Sequence, residues 1–122
     1  MNDNEKIEYL SKDKSFGIYT RNAIDLMELN FTESYIIDIN NLKMLNSLLG
    51  YEKTNKIIHN SFKKYKKLLP DDILGRWFYG DEIIIFTKQT PQLSQNILLN
   101  CFRENNISFK ILSEGKKESE KE

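Results

Sequence analysis

The order of apolar patterns along the chain most limits the folds open to these 122 residues. Residues 35–38, 73–79, 82–87 and 107–112 are short runs rich in β-branched and aromatic side chains, and they predict strands. Apolar residues at helical spacing predict a helix at 21–29, two helical pieces at 45–69 separated by Gly50, and a helix starting at Thr90 and Pro91. The predicted order is therefore β-α-β-β-α-β, preceded by one helix.

This order predicts an α+β domain with the ferredoxin-like βαββαβ arrangement of palm domains and an extra N-terminal helix. Right-handed crossovers put the third strand between the first two and antiparallel to both. The end of the first strand, at Asp38, should therefore lie beside the tight hairpin of Gly80 and Asp81. The palm domain is predicted to span residues 13–112, between a flexible N-terminus at 1–12 and a charged, disordered tail at 113–122.

Two carboxylates at neighbouring strand ends repel each other unless they share a proton or a divalent cation. With oxygen ligands alone, the cation would be Mg²⁺ or Mn²⁺, and Mg²⁺ prefers a few carboxylates plus substrate phosphates to a closed protein cage. Asp38, Asp81 and Glu82 are therefore candidate catalytic residues for phosphoryl transfer from a nucleoside triphosphate. On these residues alone, the alternative is that Asp38 caps a helix while Gly80 and Asp81 form only a turn.

Charge and cysteine content exclude several classes of protein. The 18 basic and 18 acidic side chains give a formal net charge of zero, so no overall field attracts nucleic acid or membrane. The one cysteine, Cys101, excludes an internal disulfide and is typical of a reducing compartment. No run approaches the roughly 18 apolar residues of a membrane span. We expect a cytoplasmic protein without a membrane partner or a specific nucleic-acid partner.

Three segments resemble the GGDEF family of diguanylate cyclases. DKSFGIYTR at 13–21 is similar to the family's opening D-x-L-T-G-L-x-N-R. DINNLKMLNSLLGYEKTN at 38–55 is similar to D-x-D-x-F-K-x-x-N-D-x-x-G-H-x-x-G-D, and YGDEI at 79–83 stands where the signature itself would be. The spacing from Asp38 to Asp81 also fits the family without a gap, so the resemblance covers nearly all of the predicted domain.

The resemblance implies a role for each matching position. Asp38 and Asp81 would bind the metal together with the carbonyl of Ile39, and Glu82 would support the site. Lys43 would contact phosphate. The residues that would contact the base or line the nucleotide pocket are Asn46, Asn55, Tyr79 and Gly80.

The resemblance also implies an activity. Two subunits would face each other as a homodimer, each holding one nucleoside triphosphate, GTP in the family. Attack of a 3′-hydroxyl on an α-phosphate would join the two into a cyclic dinucleotide of the cyclic di-GMP type. A regulatory protein partner would be one way to control such a domain.

Several residues depart from the family pattern. Asn55 replaces the acid that would accept hydrogen bonds from guanine, which leaves the choice between guanine and adenine open. Tyr79 replaces the first signature glycine, and Asn40 replaces the second acid of D-x-D. Trp77 stands where the family usually has arginine, with Arg76 adjacent to it.

These departures support two further hypotheses. One is a degenerate GGDEF domain that binds a nucleotide or a protein partner without turnover, which Tyr79 and Asn55 favour. The other is a relative of the minimal CRISPR polymerases, small palm enzymes that make cyclic adenylates in phage defence, which the short chain and Asn55 suggest.

Overall fold

The computed structural model describes residues 12–77 and 81–116 of the chain. The elements of this part follow one another in the order α1 Arg21–Leu26, β1 Glu33–Ile39, α2 Leu42–Leu49, α3 Tyr51–Leu68, β2 Ile73–Arg76, β3 Glu82–Thr87, α4 Pro91–Arg103 and β4 Phe109–Lys116. None of the helices in these residues is long and apolar enough to cross a membrane.

The strands form a sheet in the order β2-β3-β1-β4, and neighbouring strands are antiparallel. The third strand therefore lies between the first two, as the crossover rule predicts. This is the ferredoxin-like α+β arrangement, and the sequence prediction of the fold class is confirmed.

Local sequence signals explain where the helices begin and end. Thr90 Oγ1 accepts a hydrogen bond from the Leu93 amide at 3.3 Å, and Pro91 occupies the first turn of α4, where its missing N–H costs nothing. Thr20 caps α1 in the same way. Gly50 separates α2 from α3 with a φ of 87°, a left-handed value that favours glycine.

The hydrophobic core lies between one face of the sheet and helices α3 and α4. Alternate residues of β1 and β3 point into it, as expected for a sheet with one covered face. Its fully buried side chains include Ile37, Ile83, Ile58, Phe62 and Phe102. Burial of each such side chain stabilises the fold by about 1.5–3 kcal/mol.

The segment before β1 covers the far edge and the other face of the sheet. The amide of Tyr19 donates to the Leu74 carbonyl at 3.0 Å, and the amide of Arg76 donates to the Tyr19 carbonyl at 2.8 Å. On the face away from the core, α1 packs so closely on β2 that a Cβ at Gly75 would lie 2.5 Å from Cγ1 of Ile24. Gly75 is therefore needed for this contact.

Strand β4 differs from its prediction at both ends. It begins at Phe109 instead of residue 107, and it continues to Lys116, four residues into the segment that we expected to be a disordered tail. Residues 113–116 pair with residues 33–36 of β1. Pairing uses backbone groups, so a polar and charged segment can extend a strand where a neighbouring strand offers partners.

Three other boundaries also differ from the predictions. Helix α1 ends at Leu26 because Met27 has extended backbone angles, and β2 ends at Arg76. Lys12, assigned to the flexible N-terminus, forms a β-bridge with Tyr19. The rest of that predicted N-terminus, the tail from residue 117, and residues 78–80 of the predicted second strand lie outside the described residues.

Candidate functional site

A row of charged side chains crosses the sheet where β1 ends. Asp38 lies opposite Glu82 of β3 and opposite Lys110 of β4. Directly opposed residues of antiparallel strands point to the same face, with Cβ atoms about 4.5–5.5 Å apart. Because Ile37 and Ile39 point into the core, the Asp38 row lies on the other face of the sheet.

Asp81 lies one residue before Glu82, in the exposed turn that leads into β3. The two acids predicted to be neighbours thus lie at the ends of two paired strands, with Glu82 directly across from Asp38. In residues 12–77 and 81–116, no group of three or more His, Cys, Asp or Glu side chains is arranged to hold a metal ion.

Lys110 was not among the predicted site residues. Its Nζ lies 3.8 Å from Oδ2 of Asp38, with the two side chains 63% and 31% exposed. An ion pair this exposed contributes at most about 1 kcal/mol. The alternation of residues 107–112 separates Lys110 from the core-facing side chains, but only the strand register reveals Asp38 as its partner.

In the turn after β1, Asn40 occupies the position of the second acid of the D-x-D pattern. The side-chain amide of Asn40 donates to Ser108 Oγ at 2.9 Å, and its backbone amide donates to the Ser108 carbonyl at 2.9 Å. Asn41 then adopts a left-handed φ of 57° before α2 begins. Asn40 thus ties the turn to the start of β4, and the Ile39 side chain is buried in the core.

Helices α2 and α3 carry the residues predicted to contact the nucleotide. Lys43 is exposed in the first turn of α2, and Asn46 lies three residues later, on the same side of the helix. The Asn46 Oδ1 atom is buried and has no hydrogen-bond partner in the described part of the chain. An unsatisfied buried acceptor costs about 1–3 kcal/mol.

Asn55 is partly buried on α3, next to Thr54, whose hydroxyl donates to the Leu45 carbonyl at 3.2 Å. That hydrogen bond holds α3 against α2. The two remaining predicted pocket residues, Tyr79 and Gly80, lie outside the described residues.

Arg76 is a second charged residue, besides Lys110, that was not among the predicted site residues. Its guanidinium carbon lies 4.2 Å from the centre of the Phe16 ring, a cation–π geometry. Burial lowers the pKa of Arg76, while the negative charges of Asp13 and Asp81 act in the opposite direction. Arginine nevertheless stays charged, because its usual pKa exceeds about 12. The positive charge of Arg76 is therefore close enough to Asp81 to be attracted by its carboxylate.

The loop at residues 13–17 positions the aromatic ring that the Arg76 guanidinium contacts. Asp13 Oδ1 accepts hydrogen bonds from the amides of Ser15 at 2.9 Å and Phe16 at 2.8 Å. Gly17 follows with a φ of 71°, and a Cβ there would lie 2.3 Å from Nε2 of His59. This loop holds Phe16 in the core, under the guanidinium.

The oxygen donors at the strand ends fit Mg²⁺ or Mn²⁺. Asp38 and Asp81 supply carboxylates, and neither a thiol nor an imidazole belongs to the set. Mg²⁺ commonly binds one or two carboxylates and completes its shell with waters and substrate phosphates.

No protein-family model matches the chain, and no curated protein matches it. Solved structures do match. A microbial GGDEF domain that interacts with bis-(3′,5′)-cyclic di-GMP superposes with a TM-score of 0.68 at 18% identity, over 85% of this chain and 75% of that chain.

Two larger proteins contain a similar domain. The diguanylate cyclase SiaD of Pseudomonas aeruginosa, solved with its activator SiaC, has a TM-score of 0.64 at 15% identity, over 93% of this chain and 50% of that chain. The S helix-GGDEF-EAL part of Vibrio cholerae LapD, bound to c-di-GMP, has a TM-score of 0.66 at 16% identity, over 88% of this chain and 30% of that chain. The chain thus spans half or less of these two proteins. The described chain has the fold of a GGDEF domain.

Proposed function

We propose that this chain is a nucleotide cyclase of the GGDEF type, which joins two nucleoside triphosphates into a cyclic dinucleotide. The observation that carries the proposal is the pairing of β1 with β3, in which Asp38 lies opposite Glu82 and near Asp81. The fold supports it, because the similar structures include a diguanylate cyclase and domains that bind or interact with cyclic di-GMP.

In this proposal, Asp38, Asp81 and the Ile39 carbonyl hold Mg²⁺ or Mn²⁺, which would neutralise charge developing on the transferred phosphoryl group. Lys43 provides a positive charge for the triphosphate, and the side-chain amide of Asn46 forms a hydrogen bond with the base. The 3′-hydroxyl of one nucleotide loses its proton to water as its oxygen bonds to the α-phosphorus of the other, and pyrophosphate leaves. A second such step closes the ring.

A homodimer is part of the proposal. One chain carries one set of strand-end acids, so the second triphosphate is held by a second copy facing the first. The substrates are cytoplasmic metabolites, so we place the protein in the cytoplasm. A regulatory protein partner is a further element, by analogy with SiaD and its activator SiaC.

The test is to incubate purified protein with Mg²⁺ or Mn²⁺ and each of the four triphosphates, and to measure pyrophosphate and products by mass spectrometry. Asp38→Ala and Asp81→Ala should each lower the rate by roughly 10²-fold or more, because one carboxylate cannot hold the metal in place alone. Asp71→Ala, which removes an exposed acid before β2, is the matched control. Absence of product under every condition would contradict the proposal.

The same incubation separates the choices of base. A cyclic di-GMP-type product supports the guanine preference of the family, whereas cyclic adenylates would indicate chemistry like that of the minimal CRISPR polymerases. An Asn55→Asp variant should shift the preference towards guanine, because a carboxylate accepts from both the ring N–H and the amino group of guanine.

Binding without turnover is a second candidate, and two observations favour it. Lys110 compensates the charge of Asp38 without a metal, and the Asn40 amide is held by Ser108. Two results together would support this candidate. Calorimetry would detect binding of a triphosphate in the presence of Mg²⁺, and a pyrophosphate assay would detect no release of pyrophosphate.

A Lys110→Met variant tests whether Asp38 is a metal ligand, as both candidates require. If Asp38 binds the metal, removal of the competing ammonium should tighten Mn²⁺ binding by a few fold, since an exposed ion pair is worth under about 1 kcal/mol. Unchanged Mn²⁺ affinity would indicate that Asp38 is not a ligand.

A further inference from the structure

A row of exposed lysines runs along the outer face of α3. The opposite face of this helix packs into the core through Ile58, Phe62 and Tyr65. The row, called the lysine stripe below, consists of Lys53, Lys56, Lys63 and Lys67. These positions fall on one side of a helix, and at 1.5 Å per residue the stripe is about 21 Å long.

The chain does not neutralise the charge of the stripe. None of its lysines takes part in an ion pair in the described part of the chain, whereas the neighbouring Lys64 pairs with Glu104 of α4. Glu52 is the only acid of α3. The stripe is therefore a local cationic surface on a chain whose formal net charge is zero.

Helix stability does not account for the stripe. A cation stabilises a helix near its C-terminus, where Lys67 lies, but destabilises it in the first turn, where Lys53 lies. Like charges three or four residues apart also repel each other, as in the pair Lys53 and Lys56 and the pair Lys63 and Lys67. An anionic partner along α3 would relieve both effects.

Apolar side chains continue this surface at the N-terminal end of the stripe. A depression of about 490 Å³ lies at the turn between α2 and α3, and its lining includes Leu49, Tyr51, Lys53 and Lys56. Leu48 and Tyr51 are each 73% exposed. Exposed apolar side chains beside a charged rim are typical of a protein interface.

This combination favours a protein over other anionic partners. A nucleic-acid backbone would neutralise the lysines but would offer little apolar surface to Leu48 and Leu49. A membrane would accept apolar side chains, but α3 already buries its apolar face in the core and cannot lay that face into a bilayer. An acidic helix with an apolar end matches both parts of the surface, since it repeats carboxylates at the spacing of the lysines.

We propose that an acidic helix of a partner protein docks along α3, with its carboxylates against the lysine stripe and its apolar end in the depression beside Tyr51. None of the residues assigned to the metal or the nucleotide belongs to this surface. The inference therefore goes beyond the proposed function, and its test does not depend on turnover.

The probe is the fluorescein-labelled peptide EAAAEAAEAAAEAAEAALL, whose glutamates share one helical face and whose leucines form the apolar end. Fluorescence anisotropy would measure its binding to the full chain at low ionic strength. We expect saturable binding, and about tenfold or more weaker binding of the counterpart in which every glutamate is glutamine. Equal binding of the two peptides, or no saturable binding of the first, would overturn the proposal.

Variants of the protein locate the binding surface. The double variant Lys56→Gln/Lys63→Gln should weaken binding of the glutamate peptide by about three- to tenfold, and Tyr51→Ala should weaken it by a similar factor. Lys88→Gln is the matched control, because it removes an exposed lysine beside Phe31, on the other side of the sheet from α3. Circular dichroism would verify that each variant is folded. Unchanged affinity in the folded double variant would also overturn the proposal.

The two other anionic partners give distinct results with the same protein. A labelled oligothymidylate that binds more tightly than the glutamate peptide would overturn the proposal in favour of nucleic acid. Cosedimentation with phosphatidylserine vesicles that is lost in the double variant would overturn it in favour of a membrane. Preference for the glutamate peptide over the oligothymidylate, without cosedimentation, would support a partner protein.

Discussion

Replacing Tyr65 with phenylalanine should destabilise the domain by about 2–4 kcal/mol, because it breaks a buried hydrogen-bond network. The Tyr65 hydroxyl donates to Asp72 Oδ2 at 2.5 Å and shares a hydrogen bond with Ser94 Oγ at 2.7 Å. Ser94 Oγ in turn lies 2.6 Å from the Tyr35 hydroxyl. All four side chains are buried, and they join β1, α3, α4 and the start of β2.

The expected loss of stability follows from the hydrogen bonds that Asp72 retains in the Tyr65→Phe variant. Its Oδ1 accepts from the Lys88 amide at 3.3 Å, but Tyr65 is the donor to Oδ2 among the described residues. A hydrogen bond to a charged group contributes about 1.5–3 kcal/mol, and the buried Oδ2 atom, left without a donor, adds a desolvation penalty. Against a total stability of about 5–15 kcal/mol, the loss would be large.

The same variant should also change the alkaline pH dependence of stability. Burial is the main cause that raises the pKa of Tyr35 and of Tyr65 above the usual value of 10.0. The folded protein therefore keeps two protons that the unfolded chain releases near that pH. The contribution of the two protonated tyrosines to the free energy of unfolding is fully present below about pH 10. Above that pH it falls by up to about 1.4 kcal/mol per pH unit for each tyrosine.

Urea unfolding at pH 7 and between pH 9 and 11, followed by circular dichroism, measures both effects. Tyr65→Phe should lower stability at pH 7 and halve the alkaline slope that the two tyrosines produce. Tyr51→Phe, whose ring is 73% exposed, is the matched control and should change neither. If Tyr65→Phe lies within about 0.5 kcal/mol of that control at pH 7, the network does not stabilise the fold as argued.

Three further predictions concern close packing and burial. Gly17→Ala should destabilise the fold by about 1–3 kcal/mol, since φ is 71° and the new Cβ would meet the His59 ring. In thermal unfolding, adding His59→Ala should recover the part of this loss that the clash causes, but not the part that the left-handed backbone causes. Gly75→Ala should cost a similar amount through its clash with Ile24, and Ile24→Ala in the same chain should make it less harmful. Cys101 is buried and its thiol pKa is raised by that burial, so a disulfide reagent should modify it much more slowly in native protein than in urea, and equal rates would contradict its burial.

The elements that depend on local signals were predicted well from the sequence. Strand β3 has its predicted bounds at Glu82–Thr87, because a turn precedes it and Thr90 and Pro91 start a helix soon after. Gly50 separates two helices as expected. The pairing of the end of β1 with the start of β3, where Asp38 lies opposite Glu82, also followed, since crossover handedness determines the strand order.

Features that depend on long-range register were not predictable. The pairing of β1 with β4 contains an irregularity between Ile36 and Ile37, which sets the residues that face each other on either side of it. Neither the extension of β4 to Lys116 nor the partner of Lys110 can be read from local patterns. Tyr65 looked like one more apolar position of α3, because its polar partner Asp72 lies in a segment assigned as a turn.

The backbone pairing of Tyr19 with β2 has a consequence for any shortened version of the protein. Without Tyr19, the amide of Arg76 and the carbonyl of Leu74 would be left open along the outermost strand of the sheet. Such an open border is a template on which other chains can add strands. In the intact chain, Tyr19 covers the edge of β2. Removing the residues up to Thr20 should expose that edge and make the chain prone to self-association.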